Sequence, residues 1–212
     1  MSTNEWITSE HALAYLARAD RLAHRTEGEA VLLAHVPVKA RRLLDLGTGD
    51  GRLLALLLLD RPQAAGVALD FSPTMLQRAQ ERFKESPQIA VVAHNLNDPL
   101  PQLGRFDAVV SSFAIHHCSH ERKQALYAEI FACLEPGGIF CNLEHVASPT
   151  RKLHERFLHA IGHTLEIEDL SNQLLDVETQ LEWLRRIGFT DVDCYWKWLE
   201  LALLIGVKPI GE

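Results

Sequence analysis

The sequence is poor in the features that announce several large classes of protein. Its 212 residues hold four cysteines, Cys118, Cys133, Cys141 and Cys194, and no CxxC spacing. That argues against a zinc site or a disulfide framework and for free thiols in apolar segments, in keeping with a reducing cytoplasm. Basic residues are outnumbered, 21 Lys and Arg against 28 Asp and Glu, for a formal net charge of -7. A general grip on nucleic acid needs a clustered basic excess to neutralise phosphates, so nucleic acid is not an expected partner, and an RNA acceptor would require a local basic stripe. No apolar run approaches bilayer-spanning length, and no basic region leads into an apolar block near the N-terminus. Neither a membrane helix nor a signal peptide is expected, and the chain reads as cytoplasmic. No internal repeat or low-complexity tract is found. With 47% hydrophobic residues, residues 1–212 read as one domain with a sizeable core.

What is present is organised around Leu43–Leu54, LLDLGTGDGRLL. An apolar run closes on Asp45, glycines follow at positions 47, 49 and 51, and apolar residues resume at helical spacing. This is a strand, a tight glycine turn and a helix start, an arrangement that presents backbone N–H groups and the positive end of a helix to a nucleotide-like ligand.

The rest of the chain alternates strand and helix. Ile7–Val36 reads as helical, with a restart where Thr26 and Glu29 have capping-box spacing. Strands are expected at Arg41–Leu46, Ala64–Leu69, Ile89–Ala93, Phe106–Phe113 and Ile139–Glu144. Helices are expected after the glycine loop, from Ser72 and Pro73 to about Lys84, and from Ser119 to a stop at Pro136, Gly137 and Gly138. Alternation of this kind implies a parallel sheet with right-handed crossovers and helices on both faces. Ligands then belong at the carboxyl ends of the strands. Residues 148–175 read as an insertion over the sheet edge, with Ser148 and Pro149 starting a helix. Val177–Ile187 is an amphipathic helix capped by Gly188. Two closing strands, the second at Leu201–Val207, are joined by too few residues for a helical crossover, which permits an antiparallel pair.

Two ligand classes use a glycine loop after a first strand. The dinucleotide fingerprint G-x-G-x-x-G would place its third glycine at Arg52, which does not match. The chain instead has D-x-G-x-G-x-G, in which Asp45 would repel a pyrophosphate but can accept from an ammonium group. Asp70, about 20 residues beyond the loop, ends the second strand where it can accept ribose hydroxyls.

At these residues the sequence resembles the class I S-adenosylmethionine-dependent methyltransferases. LLDLGTGDG is similar to the family's first motif, ALDFSPTML to its ribose-binding segment, FDAVVSSFAIHHC to its fourth-strand motif and LEPGGIF to the turn before its fifth strand. The resemblance covers about Arg41 to Lys208. It implies a three-layer Rossmann-like sandwich with a seven-stranded, mostly parallel sheet in the order 3-2-1-4-5-7-6, strand seven antiparallel. It also implies S-adenosylmethionine as cofactor and S-adenosylhomocysteine as product. Gly47, Gly49 and Gly51 would pass beneath the methionine and ribose, Asp45 would face the amino group, Asp70 would hold the ribose, and Phe71 and Met75 would border the adenine. Asn95 stands where the family commonly has an aspartate. Its carbonyl oxygen can accept from the adenine amino group, and the Leu96 N–H can donate to the ring. Ser111 and Ser112 lie near the methionine end.

For the acceptor the sequence is less specific. His116 and His117 follow the fourth strand and His145 follows the fifth. Each is a candidate general base if the nucleophile carries a proton. The acceptor is expected to be a small molecule, covered by the N-terminal helices of residues 1–40, around Trp6 and Tyr15, and by the 148–175 insertion. His154, His159 and His163 fall on this cover without a pattern that completes a metal site. Other readings are a nicotinamide-dependent oxidoreductase and a noncatalytic module that binds S-adenosylmethionine. The chain is expected to act as a monomer or homodimer, away from membranes.

Overall fold

The computed structural model describes residue 10, residues 24–166 and residues 168–211. The expectation that Trp6 and Tyr15 close the pocket lies outside these, as does most of the helix expected before Arg25.

The first helix, α1 (Arg25–His35), starts from His24 in a left-handed conformation with no side-chain cap. This corrects the expected capping box: Thr26 lies within the helix, and Glu29 is drawn into ion pairs with Arg25 and Arg52 instead. Then follow β1 (Arg42–Leu46), α2 (Arg52–Asp60), β2 (Ala65–Asp70), α3 (Pro73–Arg82), β3 (Ile89–Ala93) and β4 (Phe106–Ser112). A 3₁₀ turn at Ile115–His117 leads into α4 (His120–Cys133), whose N-cap Ser119 accepts from the Arg122 N–H, as its sequence suggested. The fifth strand, β5, runs Leu134–His145. It begins five residues earlier than expected. Pro136, Gly137 and Gly138 do not stop α4 but form the irregular start of the strand, where Leu134 pairs with Phe106 and the backbone of Lys208 bonds with Gly137 and Gly138.

The next helix, α5 (Arg151–Ala160), is capped by Thr150, whose hydroxyl accepts from the Leu153 N–H. The start expected at Ser148 and Pro149 is therefore two residues early. After an irregular segment, α6 (Val177–Ile187) is capped by Asp176 at its start and by left-handed Gly188 at its end. The closing hairpin is β6 (Thr190–Trp198) and β7 (Leu201–Val207).

The seven strands lie in the order β3-β2-β1-β4-β5-β7-β6. All neighbours are parallel except the two pairings of β7. Side chains alternate across the sheet and feed two core layers. Leu44, Leu46, Val109, Phe140 and Leu204 join Leu126, Ile130 and Leu184 of α4 and α6 on one face. Leu43, Val110, Cys141 and Leu203 join Leu32 of α1 and Leu53, Leu54 and Leu57 of α2 on the other. Two consequences position the site. The parallel strands bring the ends of β1, β2, β3 and β4 to one edge of the sheet. Because β7 is antiparallel, the β6–β7 turn arrives at that same edge, pairing Leu201 with His145.

Candidate active site

The glycine turn after β1 is built as its spacing predicted. Gly47, Gly49 and Gly51 all have positive φ, at 66°, 58° and 84°. Two of them differ in what they face. A Cβ on Gly47 would lie 2.2 Å from the Cβ of Ala114, whereas one on Gly49 would meet nothing within 4 Å. Gly47 thus serves close packing between two loops, and Gly49 leaves open the side on which a ligand can approach the backbone.

Two buried carboxylates flank the turn. Asp45, 1% exposed, accepts from the Thr48 hydroxyl at 2.7 Å. Burial pushes its pKa up to about 7; the Thr48 bond opposes this and the nearby Asp70 adds to it. Among the described residues this carboxylate has no positive partner, and an ammonium group would stabilise it. Asp70 accepts from the Gly49 N–H at 2.8 Å through one oxygen and from the Ser72 N–H at 2.9 Å through the other. Burial raises its pKa while these N–H groups hold it down. Each oxygen keeps a lone pair, enough to accept one hydroxyl each of a vicinal diol. Phe71 is half-buried beside it and Met75 is 2% exposed.

Asn95 follows β3 and its Oδ1 accepts from the Asn97 N–H at 3.0 Å, so the side chain shapes its own turn while its oxygen retains a second lone pair. Leu96 is buried next to it, its carbonyl accepting from Arg122. The two serines of β4 part company. The Ser111 hydroxyl donates to the Leu46 carbonyl at 2.9 Å and ties β4 to β1. The Ser112 hydroxyl is buried without a hydrogen-bond partner. Asp45, Asp70, Asn95 and Ser112 thus share the carboxyl edge of the sheet. With the open side of Gly49 and the orphaned Ser112 hydroxyl, these residues fit a ligand carrying an amino acid group and a ribose.

Beyond β4 and β5 lies a second polar cluster. His116 is 6% exposed and its Nδ1 meets Glu144 Oε1 at 2.7 Å. Glu144 is fully buried and its pKa is pushed up to about 7 by burial, against bonds from the His145 N–H and Asn142. Behind it the Tyr127 hydroxyl links Asn142 to Gln180 of α6. The His117 ring lies against His116, tilted by 44° with 4.0 Å between centroids, and its Nδ1 lies 2.9 Å from Ser171 Oγ. Burial and His116 push the His117 pKa down to about 3, against the pull of Asp169 and Glu144. His145 Nε2 meets Glu200 Oε2 at 2.9 Å, and Glu200 also bonds His154, whose other nitrogen meets Glu168 at 3.1 Å.

The sequence singled out the three histidines but not their partners. Glu144 is buried at 0% exposure; Asn142 and Glu144 interrupting an apolar strand were the available signal. Glu200, Glu168, Asp169 and Ser171 carried none, because they come from remote segments. Among the described residues no group of three or more His, Cys, Asp or Glu side chains could hold a metal ion, and no helix is long and apolar enough to cross a membrane.

The fold is a Rossmann-like sandwich, and the groups at its carboxyl edge fit a nucleoside with an amino acid tail. Comparison with known proteins gives the class. A family model described as a methyltransferase domain matches residues 43–138. A carboxy-S-adenosyl-L-methionine synthase of Desulforapulum autotrophicum is 29% identical over 187 residues, covering 79% of this chain and 74% of that one. An uncharacterized methyltransferase of Mycobacterium tuberculosis is 35% identical over 123 residues, covering 58% of this chain and 60% of its own length. The chain thus spans about three fifths of that mycobacterial relative. Among solved structures, the putative methyltransferase of Haloferax volcanii, in complex with the Trm112 methyltransferase activator, shares the fold with a TM-score of 0.70 at 20% identity, covering 96% of each chain. The matched domain, these relatives and the sheet order together support a class I S-adenosylmethionine-dependent methyltransferase.

Proposed function

We propose that this chain moves a methyl group from S-adenosylmethionine to a nucleophile on a small-molecule acceptor. The observation that carries the reading is the pair of buried carboxylates, Asp45 and Asp70, on either side of a glycine turn whose Gly49 side is open. In this reading Asp45 faces the amino group, Asp70 the ribose hydroxyls, Phe71 and Met75 the adenine, and Asn95 and Leu96 its polar edge, with Gly47, Gly49 and Gly51 forming the floor and Ser112 near the methionine end. S-adenosylmethionine supplies, when bound, an electrophilic methyl carbon on a sulfonium. The protein's own tasks are to align the acceptor, exclude water and manage one proton.

Of the three histidines, His117 suits proton management best. His116 Nδ1 is tied to Glu144 and its ring is more deeply buried, and His145 Nε2 is tied to Glu200. Residues 1–40 and 148–175 would cover the acceptor, within a single domain of residues 1–212. The acidic balance supports a small acceptor over RNA, and the four free thiols suit a cytoplasmic location. Monomer and homodimer are both compatible with this reading.

Calorimetry with S-adenosylmethionine and S-adenosylhomocysteine tests the cofactor. Saturable binding of both is expected. Binding of NAD in their place would overturn the reading. Transfer of labelled methyl into fractionated cell extract, with the product identified by mass, tests the acceptor. Tight cofactor binding with no transfer to any fraction would instead favour a noncatalytic module.

A further inference from the structure

Lys123 of α4 is 1% exposed, and its Nζ ends among backbone carbonyls. It donates to the Cys118 carbonyl at 2.8 Å, to the His116 carbonyl at 3.4 Å and to the Gln173 carbonyl. Three acceptors need three N–H donors, which only the ammonium has, so a full positive charge is held there by carbonyls. Burial pulls the Lys123 pKa down, while Glu144 and Cys118 hold it up. The position is a poor one for the helix itself. It lies one turn from the start of α4, at the positive end of the helix dipole, and burying an ammonium with no carboxylate in contact is costly. What explains a lysine there is its reach. Helical side chains lean toward the N-terminus, so a four-carbon stem passes back over Ser119 to the turn that carries His116.

Two of the three carbonyls belong to that turn, and the third belongs to the irregular segment between α5 and α6. Around it three consecutive residues are anchored one by one. The Gln173 N–H donates to the His116 carbonyl at 2.8 Å, the Leu174 carbonyl lies 3.2 Å from His120 Nε2, and the Leu175 carbonyl accepts from the Ala147 N–H at 3.0 Å. His116 follows β4 and Ala147 follows β5, so residues 173–175 form a strap across the carboxyl ends of those two strands, beside the histidines. We propose that Lys123 is a positioning residue that clasps this strap to the histidine turn and so fixes a wall of the acceptor site. This rests on the methyltransferase reading above. The clasp acts on backbone atoms alone, so the side chain of Gln173 is no part of it. When the strap lifts, Nζ gives up one carbonyl of three and keeps those of His116 and Cys118, which leaves the histidine turn in place while acceptor enters or product leaves. Asp45, Asp70 and Asn95 lie at the ends of β1, β2 and β3, away from the clasp.

Amide hydrogen exchange of the full chain, read by mass spectrometry without any ligand, tests the clasp. In Lys123→Met, which keeps the length of the stem and removes the donors, exchange in residues 171–176 is expected to rise at least tenfold while exchange in β1 and β2 stays within twofold. Gln173→Ala is expected to match the unaltered protein. Calorimetry should give a Kd for S-adenosylhomocysteine within twofold in both variants. The amount of active extract fraction needed for half-maximal transfer of labelled methyl should rise at least fivefold in Lys123→Met alone, while the KM for S-adenosylmethionine stays within twofold. Unchanged exchange in residues 171–176, or a rise shared equally by the sheet, would overturn the proposal. So would a loosened strap with an unchanged demand for the extract fraction. Should Lys123→Met not fold, NMR of the unaltered protein labelled with 15N-lysine and 13C-carbonyl glutamine decides. A coupling across the hydrogen bond from an ammonium nitrogen to a glutamine carbonyl is expected, and its absence would overturn the clasp. Failure of S-adenosylhomocysteine to bind the unaltered protein is a different outcome, which sinks the methyltransferase reading and leaves the exchange contrast as it was.

Discussion

Asp45 shows how a single residue can be costly to the fold and useful to the site. Its folded pKa of about 7 lies above the 3.8 of a free aspartate. Between those values the folded state binds more protons than the unfolded one, so stability falls as pH rises from 4 to 7 and stays lower above it. Asp45→Asn is therefore expected to stabilise the cofactor-free protein at pH 8 by on the order of 1–3 kcal/mol, read as a higher Tm. The same substitution should weaken S-adenosylmethionine binding at least tenfold by calorimetry. In the unaltered protein, affinity should rise with pH through about 7 as Asp45 ionises, and Asp45→Asn should flatten that profile. The glycines separate the same two demands. Gly47→Ala, with its Cβ 2.2 Å from Ala114, is expected to destabilise by about 2–4 kcal/mol through overpacking and strain. Gly49→Ala faces open space and should cost only about 1 kcal/mol, from its positive φ, while losing cofactor affinity. Denaturant titration and calorimetry on the pair distinguish packing from ligand approach.

At the scale of elements, the segment between α5 and α6 is held by polar bonds. His154 is placed between two carboxylates, Glu200 and Glu168, one facing each ring nitrogen. A neutral imidazole has one N–H and can serve only one of them, so the full bridge needs the imidazolium. Burial lowers the His154 pKa, but its bonds to Glu200 and Glu168 outweigh that and raise it. The bridge is therefore favoured below that raised value and lost as pH rises through it. His154→Ala is expected to increase limited proteolysis between α5 and α6 several-fold at pH 6, while changing global stability by no more than about 1 kcal/mol. Equal cleavage in both proteins would show that the bridge does not restrain the segment.

For the molecule as a whole, ligand binding and folding are linked. A ligand of the native state present at a hundredfold its Kd adds about 2.7 kcal/mol, which for a domain of this size raises Tm by roughly 5–10 °C. S-adenosylhomocysteine should give such a shift and NAD none. The parallel sheet, the closing pair of strands and the glycine turn were legible in the chain because each depends on local pattern: strand–helix alternation, a closing connection too short for a crossover, and glycine spacing; the strand order and the reversed seventh strand came only from the family resemblance. The boundaries that failed have local causes of another kind. Thr150 outcompeted Ser148 as a cap, and the Leu134–Gly138 stretch was drawn into β5 by pairing with β4 and β7.

By itself the sequence determined which groups gather at one edge of the sheet, since Asp45, the glycines, Asp70 and Asn95 sit at strand ends that the topology must bring there. Only the tertiary structure decided the histidine cluster beside them. Glu144, Glu200, Asp169 and Ser171 come from a buried strand, a turn reversed by an antiparallel strand, and an irregular segment. Their roles depend on distances across the fold that no spacing along the chain encodes.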